Sequence, residues 1–88
     1  MKIKLVVVDD YELIRAGMIQ CLSLSPEMKV VAEAANGEEL LDSLRVTRPD
    51  LVLLDMVMPN MSGVNLIMHV KSLYPNLPIL AISACITM

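Results

Sequence analysis

The sequence predicts one α/β domain, a parallel β-sheet with helices packed on its faces. Three observations carry that expectation. Short apolar runs alternate with segments of helical period, in the order βαβαβαβ. Several of those runs are apolar at consecutive positions, as in strands buried on both faces. Finally, 88 residues hold three strand-helix units of about 24 residues plus one further strand, and not two ordinary domains.

The elements follow in order. Ile3 to Val8 is an apolar run that stops at Asp9-Asp10. From Tyr11 to Leu24 the period is helical: Ile14, Met18, Cys21 and Leu22 share one stripe, Asp10 is the expected N-cap, and Ser25-Pro26 ends the helix. Lys29 to Ala34 is a second strand, more polar and so expected near an edge. Asn36-Gly37-Glu38-Glu39 opens the next helix, with Asn as cap and Glu three residues on, as in a capping box. Leu40, Leu41 and Leu44 give that helix its apolar face, and Arg48-Pro49-Asp50 breaks it. Leu51 to Leu54 is the third strand and ends in Asp55. Met56 to Ser62 reads as a loop punctuated by Pro59 and Gly63. Val64 to Tyr74 is helical, with Leu66, Ile67, Val70 and Leu73 on one face, and Pro75-Asn76 closes it. Ile79 to Ile82 is a fourth strand ending at Ser83. Crossovers between these strands are expected to be right-handed.

Composition excludes several functions. Hydrophobic residues make up 56% of the chain, too many for a disordered segment. Aromatics are 2%, two Tyr with no Phe or Trp, so there is no stacking platform for single-stranded nucleic acid. Net charge is −3 with no basic run, which argues against direct DNA contact. Cys21 and Cys85 form no disulfide framework and are expected to be small core hydrophobes in a reducing compartment. The apolar run after Met1-Lys2-Ile3-Lys4 is too short for a signal peptide, and no segment is long and apolar enough to span a bilayer. The expectation is a soluble cytoplasmic protein with no membrane partner. His69 is expected to be a surface helix residue.

The chemistry lies at the strand ends. Asp9 and Asp10 follow the first strand, Asp55 the third and Ser83 the fourth. In a parallel sheet all these ends lie on one edge, where ligands bind at the point of reversed strand order. Two carboxylates about 4 Å apart repel by about 4 kcal/mol at an effective dielectric of 20, so a convergent triad needs a cation. An all-oxygen set suits Mg²⁺, whereas one His and two distant Cys do not suit zinc. A strand-end carboxylate can also act as a nucleophile toward a phosphoryl donor, with a serine hydroxyl bonding a phosphoryl oxygen.

These landmarks resemble the receiver domains of two-component response regulators. Asp55-Met56-Val57-Met58-Pro59-Asn60-Met61-Ser62-Gly63 is similar to the family's phosphoacceptor loop, Asp9-Asp10 to its acidic pocket, and Ser83-Ala84 to its switch hydroxyl and adjacent small residue. The resemblance implies a flavodoxin-like (CheY-like) doubly wound fold of strand order 2-1-3-4-5. It implies that Asp55 is phosphorylated by a sensor histidine kinase, through transfer catalysed by the receiver itself rather than by turnover enzymology. It implies Mg²⁺ held by Asp10, Asp55 and the Val57 carbonyl, with Asp9 acting through water, and structural roles for Pro59, Gly63 and Ala84. The stretches Leu-Val-Val-Val-Asp-Asp-Tyr and Val-Val-Ala-Glu-Ala-Ala-Asn-Gly-Glu-Glu are similar to NarL/FixJ-type regulators, which carry a LuxR-like helix-turn-helix output.

Against the family pattern, residues 1–88 are expected to be the N-terminal part of one receiver. The fourth and fifth helices, the fifth strand with its Lys and aromatic switch residue, and the DNA-binding output are absent from these residues. The expectation is an intact acidic pocket, impaired switching and self-association, as a dimer through an uncovered face or edge or through exchanged elements. Two other functions compete. One is a non-switching interaction fragment, a pseudo-receiver in behaviour. The other is a phosphotransferase of the haloacid dehalogenase kind, which wants a second Asp two residues after the nucleophile, where Val57 stands.

Overall fold

A computed structural model describes residues 2–55, 57–58 and 61–82. The elements are β1 (Ile3–Val8), α1 (Glu12–Ser23), β2 (Met28–Ala34), α2 (Gly37–Val46), β3 (Leu51–Asp55), β4 (Val57–Met58), β5 (Met61–Ser62), α3 (Gly63–Leu73) and β6 (Ile79–Ile82). Strands β2-β1-β3-β6 form one four-stranded sheet, parallel at every pairing. The chain steps from β1 outward to β2 and then back past β1 to β3. Strand order therefore reverses between β1 and β3, the doubly wound arrangement.

The sheet's two faces follow from strand alternation. Val6 and Val8 of β1 lie beside Val52 and Leu54 of β3. With Ala34, Leu40, Leu44, Leu66 and Val70 they form the core cluster, so α2 and α3 cover this face. Leu5, Val7 and Leu53 are buried as well but lie outside that cluster, on the opposite face, where α1 packs. Burial on both sides explains why β1 and β3 are apolar at consecutive positions. The polar β2 is an edge strand, as its composition predicts.

Helix α2 starts as its sequence dictates. Asn36 Oδ1 accepts the Glu39 N–H at 2.8 Å. Glu39 Oε1 accepts the Ala35 N–H at 2.8 Å, one residue before the cap position. Thr47 ends the helix, with both its N–H and its hydroxyl donating to the Ser43 carbonyl.

Four expectations require correction. The segment Met56 to Ser62 is not loop throughout: β4 and β5 pair antiparallel, Val57 with Ser62 and Met58 with Met61. A ladder of two residues per strand is too short to leave a periodic trace in sequence. The α1 stripe exists but is not core. No residue of α1 is buried; Met18 and Leu22 are half-buried, while Ile14 and Cys21 are exposed. Among the described residues no second helix flanks α1 on its face of the sheet, so its stripe is covered from below only. Cys21 is therefore not a core hydrophobe, and Cys85 lies outside the described residues. Leu73, expected on the buried face of α3, is 56% exposed, whereas Leu66 and Val70 are buried and His69 lies on the surface. The fourth correction concerns the α1 cap and belongs to the site.

Candidate functional site

The register of the central strands builds the site. Val8 pairs with Leu54, so Asp9 and Asp55 come next on neighbouring parallel strands at the switch point. Asp10 follows at the turn into α1. One carboxylate oxygen from each of Asp9, Asp10 and Asp55 lies within 4.8 Å of the others. Asp9 is 1% exposed and Asp55 5%, while Asp10 is half-buried. Residues 45 positions apart in sequence thus share one acidic pocket.

Asp9 is the most constrained of the three. Its N–H donates to the Ala34 carbonyl of β2 at 3.1 Å. Its Oδ1 accepts the Tyr11 N–H at 2.8 Å. That bond corrects the expected cap. The N-cap position of α1 is Tyr11, with no side-chain capping bond, and Asp9 rather than Asp10 supplies the local acceptor. A carboxylate two residues ahead of an N–H closes an Asx-type turn, which satisfies one donor where the chain leaves the strand.

Burial pushes the Asp9 carboxyl above its ordinary value of 3.8. The Tyr11 N–H opposes that shift, and the charges of Asp55 and Asp10 reinforce it. At 4.8 Å and an effective dielectric of 20, each ionised pair costs about 3.5 kcal/mol.

Two oxygens show what the pocket suits. Asp9 Oδ2 and Asp10 Oδ1 are buried without a hydrogen-bond partner among the described residues. A buried, unsatisfied carboxylate oxygen is costly unless a cation or donor meets it. The donors are all oxygen, and both unsatisfied atoms belong to residues of the cluster. The residues present therefore fit a hard divalent cation such as Mg²⁺.

The remaining predicted site residues divide. Gly63 is buried at the first turn of α3, where the chain leaves β5. The Val57 backbone lies in β4, two residues beyond Asp55. Pro59, Ser83 and Ala84 lie outside the described residues.

Two contributors escape sequence reasoning, Arg15 and Glu33. Arg15 Nη1 donates to the Asp9 carbonyl oxygen at 2.6 Å, and its Nε donates to Glu33 Oε1 at 2.9 Å. The available signal was a cation one turn into α1, among apolar neighbours, and an acid one residue before the end of β2.

Comparison with known proteins agrees with this geometry. The family model for the response regulator receiver domain matches residues 5–88. Protein-glutamate methylesterase/protein-glutamine glutaminase of Clostridium acetobutylicum is 40% identical over 83 residues, covering 94% of this chain and 24% of that protein. Transcriptional regulatory protein DegU of Brevibacillus brevis is 34% identical over 82 residues, 93% of this chain and 35% of that protein. The solved signal receiver domain of the response regulator NarL from Mycobacterium tuberculosis superposes with a TM-score of 0.82 at 39% identity, covering 98% of this chain and 69% of that one. The chain thus spans about a quarter to a third of these two curated relatives.

Proposed function

This chain belongs to the response regulator receiver domain family, and from that premise we propose that it is a phosphoacceptor module modified on Asp55. The supporting observation is the convergence of Asp9, Asp10 and Asp55 at the β1–β3 switch point. The phosphoryl donor is a phosphohistidine on a sensor kinase. A carboxylate oxygen of Asp55 attacks the phosphorus; the P–N bond breaks as the new P–O bond forms, leaving an acyl phosphate on Asp55 and the imidazole on the kinase. Asp10, Asp55 and the Val57 carbonyl would hold Mg²⁺ directly, and Asp9 would hold it through water. Bound there, Mg²⁺ supplies neutralisation of the charge on the transferring group. In this proposal Ser83 is the hydroxyl that would donate to a phosphoryl oxygen and Ala84 the small residue next to it, with Pro59 and Gly63 in structural roles at the acceptor loop. Asp55 is consumed once per signal, so the module is a switch and not a turnover enzyme.

The longer setting belongs to the same reading. The DegU and NarL similarities favour a cytoplasmic transcription regulator whose DNA contact lies in an output domain outside these residues. A receiver does not by itself fix the output, since the Clostridium relative is named as a methylesterase. Among the described residues no helix is long and apolar enough to cross a membrane. A second copy of the chain is a further proposed partner, through the edge strand β6, where Leu80 is 54% exposed.

The test is chemical modification. With acetyl phosphate and Mg²⁺, the wild-type chain should gain the mass of one phosphoryl group, and Asp55→Asn should not. A wild-type chain that takes up neither phosphoryl nor beryllofluoride in Mg²⁺ would refute the reading.

A further inference from the structure

Arg15 stands at the pocket's wall, held by two side-chain hydrogen bonds that go to a backbone carbonyl and to an acid outside the triad. Its guanidinium makes a fork. Nη1 donates to the backbone carbonyl of Asp9 at 2.6 Å, and Nε donates to Glu33 Oε1 at 2.9 Å. The Arg15 side chain is 13% exposed and Glu33 56%. One end of the fork is thus well shielded, and the other is anchored on a strand that does not line the pocket. The Arg15 N–H also donates to the Tyr11 carbonyl at 2.8 Å, which fixes the start of α1 on which the side chain rides.

The carbonyl that Arg15 holds is that of the Asp9–Asp10 peptide. A peptide unit is planar, so fixing the direction of its C=O fixes the N–H and Cα of the next residue. That next residue is Asp10. Asp9 itself is already held through its N–H and its Oδ1. The Asp9 Oδ1–Tyr11 bond spans Asp10 from one side, and Arg15 adds a direct restraint on the Asp9–Asp10 peptide itself.

We infer that Arg15, anchored by Glu33, is a positioning residue that sets the direction of the Asp10 carboxylate for cation binding. The inference rests on the receiver reading above. Outer-layer residues that orient metal ligands typically change affinity by about 10- to 100-fold when removed.

Charge gives the test its sign. A guanidinium beside a cation site repels the cation, so deleting it on electrostatic grounds alone should tighten Mg²⁺ binding. A positioning role has the opposite sign. Calorimetric titration of the 88-residue chain with Mg²⁺ alone reads the outcome, with thermal melts run in parallel. Arg15→Met keeps the stem and loses every donor; its Mg²⁺ affinity should fall about 10-fold or more while the protein remains folded. Arg15→Lys keeps the charge but offers a point ammonium instead of a planar fork, so it should recover little. Equal or tighter binding by Arg15→Met, or full recovery by Arg15→Lys, overturns the inference. Should Arg15→Met fail to fold, Arg15→Lys decides, because it leaves the charge unchanged: weaker Mg²⁺ binding at near wild-type stability supports the inference, and wild-type binding overturns it. A wild-type chain that binds no Mg²⁺ refutes the receiver reading itself, which separates the two failures.

Discussion

Replacing Asp9 with Asn should stabilise the cation-free protein at neutral pH. Asp9 is fully buried and its carboxyl is pushed up, first by burial and then by the charges of Asp55 and Asp10. Two limits bound the cost. Holding Asp9 protonated at pH 7 against an ordinary value of 3.8 costs about 4 kcal/mol, at about 1.36 kcal/mol per unit. Leaving it ionised costs about 3.5 kcal/mol for each neighbouring carboxylate within 4.8 Å at a dielectric of 20. Asn keeps the Oδ1 that accepts the Tyr11 N–H and turns Oδ2 into a donor facing two acceptors. The expected gain is about 1–4 kcal/mol. Its pH dependence has a fixed sign. Because the folded-state value is raised, the folded protein holds more protons than the unfolded chain between the two values, and wild-type stability falls as pH rises through that window. Below about pH 3.8 Asp9 is protonated in both states and the advantage of Asn disappears. Urea unfolding followed by far-UV circular dichroism at pH 7 and pH 3, without divalent cations, checks both points. A less stable Asp9→Asn protein at pH 7, or an equal gain at both pH values, would refute the electrostatic account.

Other consequences are simpler to state. Asn36→Ala removes the acceptor of the Glu39 N–H and should cost about 1 kcal/mol in the same urea assay. Leu40→Ala, at a position 1% exposed in the core, should cost about 3–5 kcal/mol and leave a chain with so small a core largely unfolded at 37 °C. Cys21 is exposed, so peptide mapping after iodoacetamide treatment should find it alkylated in the native protein without denaturant. Leu80→Lys should shift the chain toward monomer in sizing with light scattering; a wild-type chain already monomeric would end the proposal of self-association.

Much of the fold was legible because its determinants are local and periodic. β1 and β3 read correctly since their buried stretches, Leu5 to Val8 and Val52 to Leu54, are apolar at every position. α2 read correctly because Asn36, Glu39, Leu40 and Leu44 carry both its cap and its face. α1 misled because its stripe is real in sequence, while burial depends on what lies across from it. The β4–β5 pairing was invisible because alternation over two residues carries no information. The acidic site was legible as residue types at strand ends; parallel topology puts those ends on one edge, and the pairing of β1 with β3 brings them together. Arg15 and Glu33 were not legible, since their role passes through a backbone carbonyl whose direction no side-chain pattern encodes.

The position of the acids has an energetic consequence. Three carboxylates at adjacent strand ends destabilise the sheet where it is otherwise best packed, between Val8 and Leu54. A protein under selection for stability alone would place Asn or Ser at Asp9, whose Oδ2 gains no hydrogen-bond partner among the described residues. The cost becomes useful once a cation binds only the folded form. Binding then stabilises the fold by RT ln(1 + [L]/Kd), about 2.7 kcal/mol at a hundredfold excess over Kd. That is the same order as the repulsion it relieves. Mg²⁺ should therefore raise wild-type stability at pH 7 and add less to Asp9→Asn, because the substitution has already removed part of what the cation offsets. Equal stabilisation of the two proteins by Mg²⁺, read from the same urea midpoints, would show that Asp9 contributes nothing to the coupling between cation binding and folding.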